Sequence, residues 1–324
     1  MSRSRLLIVL AFAAVYLIWG STYLAIRYAI ETLPPFLMAA SRFLTAGLIL
    51  FVWAVGKGES IRASLSLWPR AFIIGALLLL CGNGGVTWAE KYLASGLAAL
   101  LIATEPLWVV MLNWAITKRR PNTKVLFAVF IGLAGVALLI GDGLRQVDAR
   151  SMSLIGAGVV VLSSLAWAGG SVYANRRPLQ ASTELASGMQ MLAGGSLLLL
   201  LAFTAGDFQR LNLANASWRS LVSLVYLTVF GSLVAFTAYS WLLRNVTTAR
   251  AATYAYVNPV VAVLLGWLFA SEPITSRMAI AAAIIVGSVV LITTYSIEQT
   301  ATEQTKVRCA TPIHDSDCPT HPCA

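Results

Sequence analysis

Apolar residues run along this chain in long stretches, with polar residues confined to short intervals between them. Ten stretches stand out, at roughly 6–28, 35–55, 71–91, 95–117, 123–141, 152–174, 183–205, 218–242, 250–271 and 275–295. Each approaches the ~20 apolar residues that carry a helix across a hydrocarbon core of ~30 Å. Backbone polar groups in hydrocarbon must bond to one another, and a single stretch satisfies them only as a helix. The pattern predicts an all-α polytopic membrane protein with ten transmembrane helices.

Composition sharpens this. The chain has 324 residues, 58% hydrophobic and 11% charged, with a mean hydropathy of +0.78. Soluble domains carry about 25% charged residues. Arg3 and Arg5 precede the first apolar run as in a signal peptide, but Tyr16 and Trp19 stand where a small-residue cleavage site belongs. The run is read as the first helix. The net charge of +10 orients the chain. With a cytoplasmic N-terminus, fifteen of the 23 Lys and Arg residues fall in cytoplasmic segments, seven outside and one, Arg42, within a span. The positive-inside rule then places both termini in the cytoplasm, with the protein in the plasma (inner) membrane. No nucleic-acid partner is needed to explain the charge.

Cys81 lies within a span and reads as a small packing residue. Cys309, Cys318 and Cys323 share residues 297–324 with His314 and His321. Their spacing fits no tight zinc site, and the segment reads as a disordered cytoplasmic tail. Neither metal nor cofactor is expected.

The chain also repeats itself. A shift of 153 lays Glu105-Pro106 on Asn258-Pro259, Trp114 on Trp267 and Trp88 on Trp241. A shift of 150 lays Gly20, Ser21 and Tyr23 on Gly170, Ser171 and Tyr173, and one of 148 lays Arg42 on Gln190. Two units result, 1–149 and 150–296. Five spans is an odd number, so the second unit enters the membrane upside down. Inverted repeats are typical of secondary transporters, whose substrate sites lie at the midplane between the halves.

The segment VYLIWGSTYLAIRYAIETLPPFLMAASRFLTAG resembles the opening of the drug/metabolite transporter superfamily, in its EamA-type branch. ATEPLWVVMLNW with GLAGVALLIG, and YVNPVVAVLLGWLFASEPIT with IVGSVVLI, resemble the ends of that family's two repeats. The resemblance implies a ten-helix carrier with a central cavity that exports or exchanges small metabolites. One departure is visible: Ser271-Glu272 follows the family pattern at the exit of the ninth span, whereas the fourth span ends on Lys118-Arg119.

Glu105 sits about ten residues into its span, ~15 Å deep. A lipid-facing charge there costs at least ~2.5 kcal/mol, so the side chain must face protein or a cavity. Pro106 frees the carbonyl near Ile102 and, with Pro259, is expected to break its helix. Arg42, ~10 Å deep, either pairs with Glu105, anchors a substrate carboxylate in exchange with it, or snorkels outward. Tyr16, Trp19 and Tyr23 share one face of the first helix. Ser163, Ser164, Trp167 and Ser171 line a face of the sixth, and Asn83, Thr87 and Trp88 cluster on the third. With Gln190 and Asn258 they outline an aromatic-lined cavity for amphipathic solutes, although core packing also accounts for each.

The function expected is a secondary, alternating-access transporter exporting small metabolites such as amino acids or amphipathic drugs, with Glu105 available for a coupling proton. A passive channel or a non-transporting interaction protein is the alternative. The chain has no GxxxxGK[ST] stretch for an ATP-driven pump, and with both histidines in the tail no HExxH zinc site or Ser-His pair forms in the bilayer.

Overall fold

A computed structural model describes residues 3–60, 65–118, 120–140 and 151–310. These residues are helical, with no strand among them. In chain order come α1 (Arg3–Ala29), α2 (Pro35–Gly56), α3 (Leu65–Ala89), α4 (Ser95–Thr117) and α5 (Thr123–Ile140). They are followed by α6 (Ser151–Arg176), α7 (Thr183–Thr204), α8 (Trp218–Asn245), α9a (Thr248–Ala251), α9b (Tyr254–Ala270) and α10 (Ser276–Ala310). Among the described residues seven helices, α1–α4 and α6–α8, are long and apolar enough to cross a membrane. The remaining apolar stretches, Thr123–Gly135, Val257–Ala270 and Ser276–Ile292, are helical but shorter.

α10 continues to Ala310, so residues 297–310 are helical rather than part of a disordered tail. They hold neither Gly nor Pro. Cys318, Cys323, His314 and His321 lie outside the described residues.

Two helices change their winding in mid-course. α3 is π-helical over Ala76–Gly84, and α8 over Leu227–Phe236. Such stretches are rare and gather at functional sites, because i→i+5 bonding leaves the turn loosely held.

Two further segments are interrupted. α4 breaks at Ala103–Thr104, immediately before Glu105. Pro106 has no N–H for the Ile102 carbonyl, which instead accepts from Ser164 Oγ at 3.3 Å. Thr104 Oγ1 closes the turn on the Leu101 carbonyl at 2.7 Å. The second-half break falls between α9a and α9b at Ala252–Thr253, where Thr253 Oγ1 bonds the Arg250 carbonyl at 2.7 Å. Pro259 therefore does not break its helix as expected; it lies inside α9b, and the chain yields earlier, in front of Tyr254.

α2 and α7 pack backbone to backbone. A Cβ on Gly47 would stand 2.9 Å from the Leu192 nitrogen, and one on Gly188 2.9 Å from the Phe51 nitrogen. Their N-termini are capped crosswise. Asp207, just beyond α7, accepts from the Phe36 and Leu37 N–H groups of α2 at 2.9 and 3.1 Å. Glu59, just beyond α2, accepts from the Ser182 N–H at the start of α7 at 3.0 Å. Each carboxylate satisfies orphan donors and faces the positive end of a helix dipole, for about 1 kcal/mol. Around this core the outward faces are apolar, as lipid requires: Phe127 and Phe130 of α5 are 66% and 69% exposed.

Candidate functional site

The packed helices leave a central cavity of about 60 Å³, room for a few water molecules. Its walls come from both halves of the chain. Trp19, Thr22 and Tyr23 of α1, Arg42 and Phe43 of α2, and Asn83 of α3 face Ser163 and Trp167 of α6, Phe236 of α8, and Tyr254 and Asn258 of α9b.

Arg42 is buried at 3% exposure. Its Nε donates to Ser232 Oγ at 2.7 Å, and the guanidinium lies 4.7 Å from the Phe43 ring centroid. Among the described residues no carboxylate pairs with it. The ion pair with Glu105 considered from sequence does not form, and the side chain does not snorkel out. Ser232 belongs to the π-helical turn of α8, so the loosened winding presents its hydroxyl to the arginine.

Glu105 is fully buried but does not line the cavity. The Tyr254 hydroxyl, which does, donates to Glu105 Oε2 at 2.5 Å. The Tyr239 hydroxyl is engaged with Ser171 Oγ at 2.7 Å, and Glu105 Oε1 has no hydrogen-bond partner among the described residues. Ser171 also donates to the Trp167 carbonyl at 2.8 Å, so it positions Tyr239 rather than facing the cavity. Its place as a contact residue is thereby replaced by a supporting one.

The aromatic face predicted on α1 is real but divided. Trp19 donates from Nε1 to the Gly231 carbonyl at 3.1 Å. Its ring stands 5.3 Å from Trp167, 4.9 Å from Tyr239 and 5.3 Å from Tyr254, tilted or edge-on, as aromatic quadrupoles favour. Tyr23 lines the cavity, whereas Tyr16 lies apart and bonds Thr253 Oγ1 at 2.6 Å. Gln190 is buried on α7, where its backbone carbonyl abuts Gly75, and lies off the cavity. Trp88 lines a separate groove formed by α3, α6 and α7 with Phe36 of α2, and its ring stands 5.1 Å from that of Tyr92, tilted by 60°. Cys81 lines that groove and is exposed, not packed inside.

Two groups on the cavity wall are conspicuous for what they lack. Among the described residues neither amide atom of Asn258 has a hydrogen-bond partner, nor does Trp167 Nε1. Pro106 opens α4b (Glu105–Thr117), and its neighbour Glu105 is joined to the site through Tyr254. Tyr254 and Tyr239 were not singled out by sequence. A signal existed for Tyr254, which lies four residues before Asn258 and so on the same helical face. Tyr239 carried none beyond its proximity to Phe236 and Ser240.

The model of the EamA-like transporter family matches residues 6–141 and 154–294. The chain is 39% identical over 286 residues to a protein of Escherichia coli (strain K12) named uncharacterized inner membrane transporter YedA, covering 87% of this chain and 89% of that one. It is 24% identical over 301 residues to the uncharacterized transporter YvbV of Bacillus subtilis (strain 168), covering 92% and 95%. A solved crystal structure shares the fold, with a TM-score of 0.64 at 22% identity over 88% of this chain and 96% of its own. With buried polar groups around a cavity, apolar helices and a family match over both halves, the chain belongs to the EamA-like transporter family of the drug/metabolite transporter superfamily and is a multi-pass membrane transporter.

Proposed function

We propose that the chain is a secondary, alternating-access carrier that exports small metabolites, amino acids or amphipathic drugs, across the plasma membrane, with the central cavity as its substrate site. The observation that carries this reading is the polar inventory of the cavity. Among the described residues Arg42 has no carboxylate partner, and Asn258 and Trp167 Nε1 have no hydrogen-bond partner. Unsatisfied buried polar groups cost about 1–3 kcal/mol each. A substrate bearing an anionic group and neighbouring donors and acceptors satisfies all three, while Trp19, Tyr23 and Trp167 take its apolar part. Asn83 adds a polar contact, and Tyr16, Ser171 and Gln190 hold the surrounding helices.

Ligand sites usually offer ~300–1,000 Å³, well above the 60 Å³ present. Substrate entry therefore requires the helices to separate, which favours a moving carrier over a fixed pore. The loosely wound stretches of α3 and α8 and the breaks in α4 and α9 give them the means.

The architecture we read is ten spans in two inverted five-helix units, 1–149 and 150–296, with both termini cytoplasmic. Paired devices support it. The π-helical stretches occur in the third and eighth segments. The caps Glu59 and Asp207 stand 148 residues apart, the same shift that relates Arg42 to Gln190. Lys118 and Ser271, 153 apart, end their helices with φ of 56° and 52°. Glu105, bound by a hydroxyl and no cation among the described residues, is the group we assign to a coupling proton.

The test is counterflow. A solute would first be found by growth resistance in overexpressing cells, from a panel of amino acids and amphipathic drugs. Vesicles preloaded with that solute are expected to take up external label faster than empty ones, with saturation. Flux that neither saturates nor responds to preloading would indicate a channel instead.

A further inference from the structure

The π-helical stretch of α3 separates two spaces. Gly82 and Asn83 face the central cavity, while Leu80, Cys81 and Gly85 face an open groove of about 700 Å³ between α3, α6 and α7. The outer walls of this groove include Leu162 and Leu200, 65% and 62% exposed. Among the described residues no charged side chain lines it. Its two hydroxyls are turned back onto backbone, Ser163 to the Cys81 carbonyl at 2.8 Å and Thr204 to the Leu201 carbonyl at 3.0 Å. Apart from the Trp88 indole N–H, the described lining offers a polar headgroup little to bond and suits hydrocarbon. From Leu80 to Trp88 the groove follows about 12 Å of helix, close to one leaflet of a ~30 Å core.

The wall between groove and cavity is one residue thick. Ser163 lines both. On the α3 side the wall is glycine: a Cβ at Gly82 would stand 2.8 Å from the Trp167 ring, and one at Gly85 would collide with the Ser163 hydroxyl. At the shift of 153, Gly82, Gly84 and Gly85 fall on Ala235, Thr237 and Ala238 of α8. The second half has side chains where the first has none.

We infer that the groove holds the hydrocarbon tail of a single-chain amphiphile drawn from the adjoining leaflet, and that the glycine wall of α3 is the lateral doorway by which such a tail reaches the cavity. This rests on the carrier reading above. The tail lies among leucines at membrane depth while its polar head reaches the groups around Arg42. Because the doorway exists on one side of the molecule, entry from lipid is confined to one leaflet.

The test uses the full chain in vesicles containing phosphatidylcholine with a photoreactive diazirine in one acyl chain. Adducts on Leu162 and Leu200, 65% and 62% exposed, are expected at several times the level on Phe127 and Phe130, 66% and 69% exposed. Labelling spread evenly over all outward faces would overturn the groove. In parallel, Leu162→Trp with Leu200→Trp fills the groove at positions that touch no core. Flux of an N-dodecanoyl amino acid should fall about tenfold, the loss of roughly two buried methylenes, while flux of the same amino acid without its acyl chain is unchanged. Undiminished dodecanoyl flux would overturn the doorway. Arg42→Leu separates the two readings. If it stops both fluxes while the groove stays unlabelled, the carrier stands and the groove falls; if neither flux responds, the carrier reading itself fails.

Discussion

Arg42→Leu is expected to reduce transport at least about tenfold while leaving the protein as stable as the wild type or more so. The two effects have one cause. Arg42 is buried with a hydroxyl and an aromatic face for company and no carboxylate among the described residues. A buried charge without an ionic partner is a stability cost, and replacing such groups with apolar residues of similar volume is often neutral or stabilising. In a substrate complex the same guanidinium makes a charge-assisted hydrogen bond worth roughly 1.5–3 kcal/mol, or about ten- to a hundredfold in affinity. Arg42→Lys keeps the charge but loses the planar fork, so an intermediate rate is expected. Thermal unfolding in detergent and transport in vesicles read the two quantities separately. A variant that lost stability and kept transport would make Arg42 a packing residue.

Glu272→Ala carries the largest expected loss of stability. The Glu272 carboxylate accepts from the Ser95 and Gly96 N–H groups at 2.8 and 3.1 Å, capping α4 from a different part of the chain. Arg27 approaches the same carboxylate at 3.5 Å, which ties α1 into the joint. Ala94, the residue before α4, offers no side-chain cap of its own. Removing the acceptor leaves two helix-terminal donors buried, at a cost of about 2–4 kcal/mol. Glu272→Gln retains one acceptor oxygen and should recover part of that. α9a does without such help, because Thr247 Oγ1 accepts from the Arg250 N–H at 3.4 Å. Thermal unfolding checks the order wild type, Gln, Ala; equal midpoints would remove Glu272 from the joint.

The fold was readable because its signal is repeated over many residues. Each apolar stretch found by hydropathy contains a helix, and the shift of 148 that joined Arg42 to Gln190 also joins the crossed caps Glu59 and Asp207. Local chemistry was less legible. Pro259 looked like a break because Pro106 stands beside one, yet α9b absorbs it and Thr253 marks the interruption. A proline forbids a bond; it does not decide which neighbouring turn gives way. The π-helical winding of α3 and α8 left no periodic trace, since the apolar pattern there is continuous all round.

In the site, sequence located the polar residues but not their partners. Arg42 and Glu105 were the two charges at depth, so pairing them followed from composition alone. The structure gives each a hydroxyl instead, Ser232 and Tyr254, from segments nearly two hundred and a hundred and fifty residues away. Such partners are set by tertiary packing, which hydropathy does not encode. Trp88 illustrates the converse. It shares its helix with Asn83, but five residues further on it stands on another face and lines the lipid-facing groove.

The central claim is that Glu105, whose counterpart in the second half is the neutral Asn258, couples transport to protons. It is tested by imposing a pH gradient across vesicles containing wild type or Glu105→Gln at matched expression, with solute accumulation and counterflow measured in the same preparations. Wild type is expected to accumulate solute against its gradient, and Glu105→Gln to retain counterflow while losing that accumulation. Full gradient-driven accumulation with an unaltered pH profile in Glu105→Gln would contradict it.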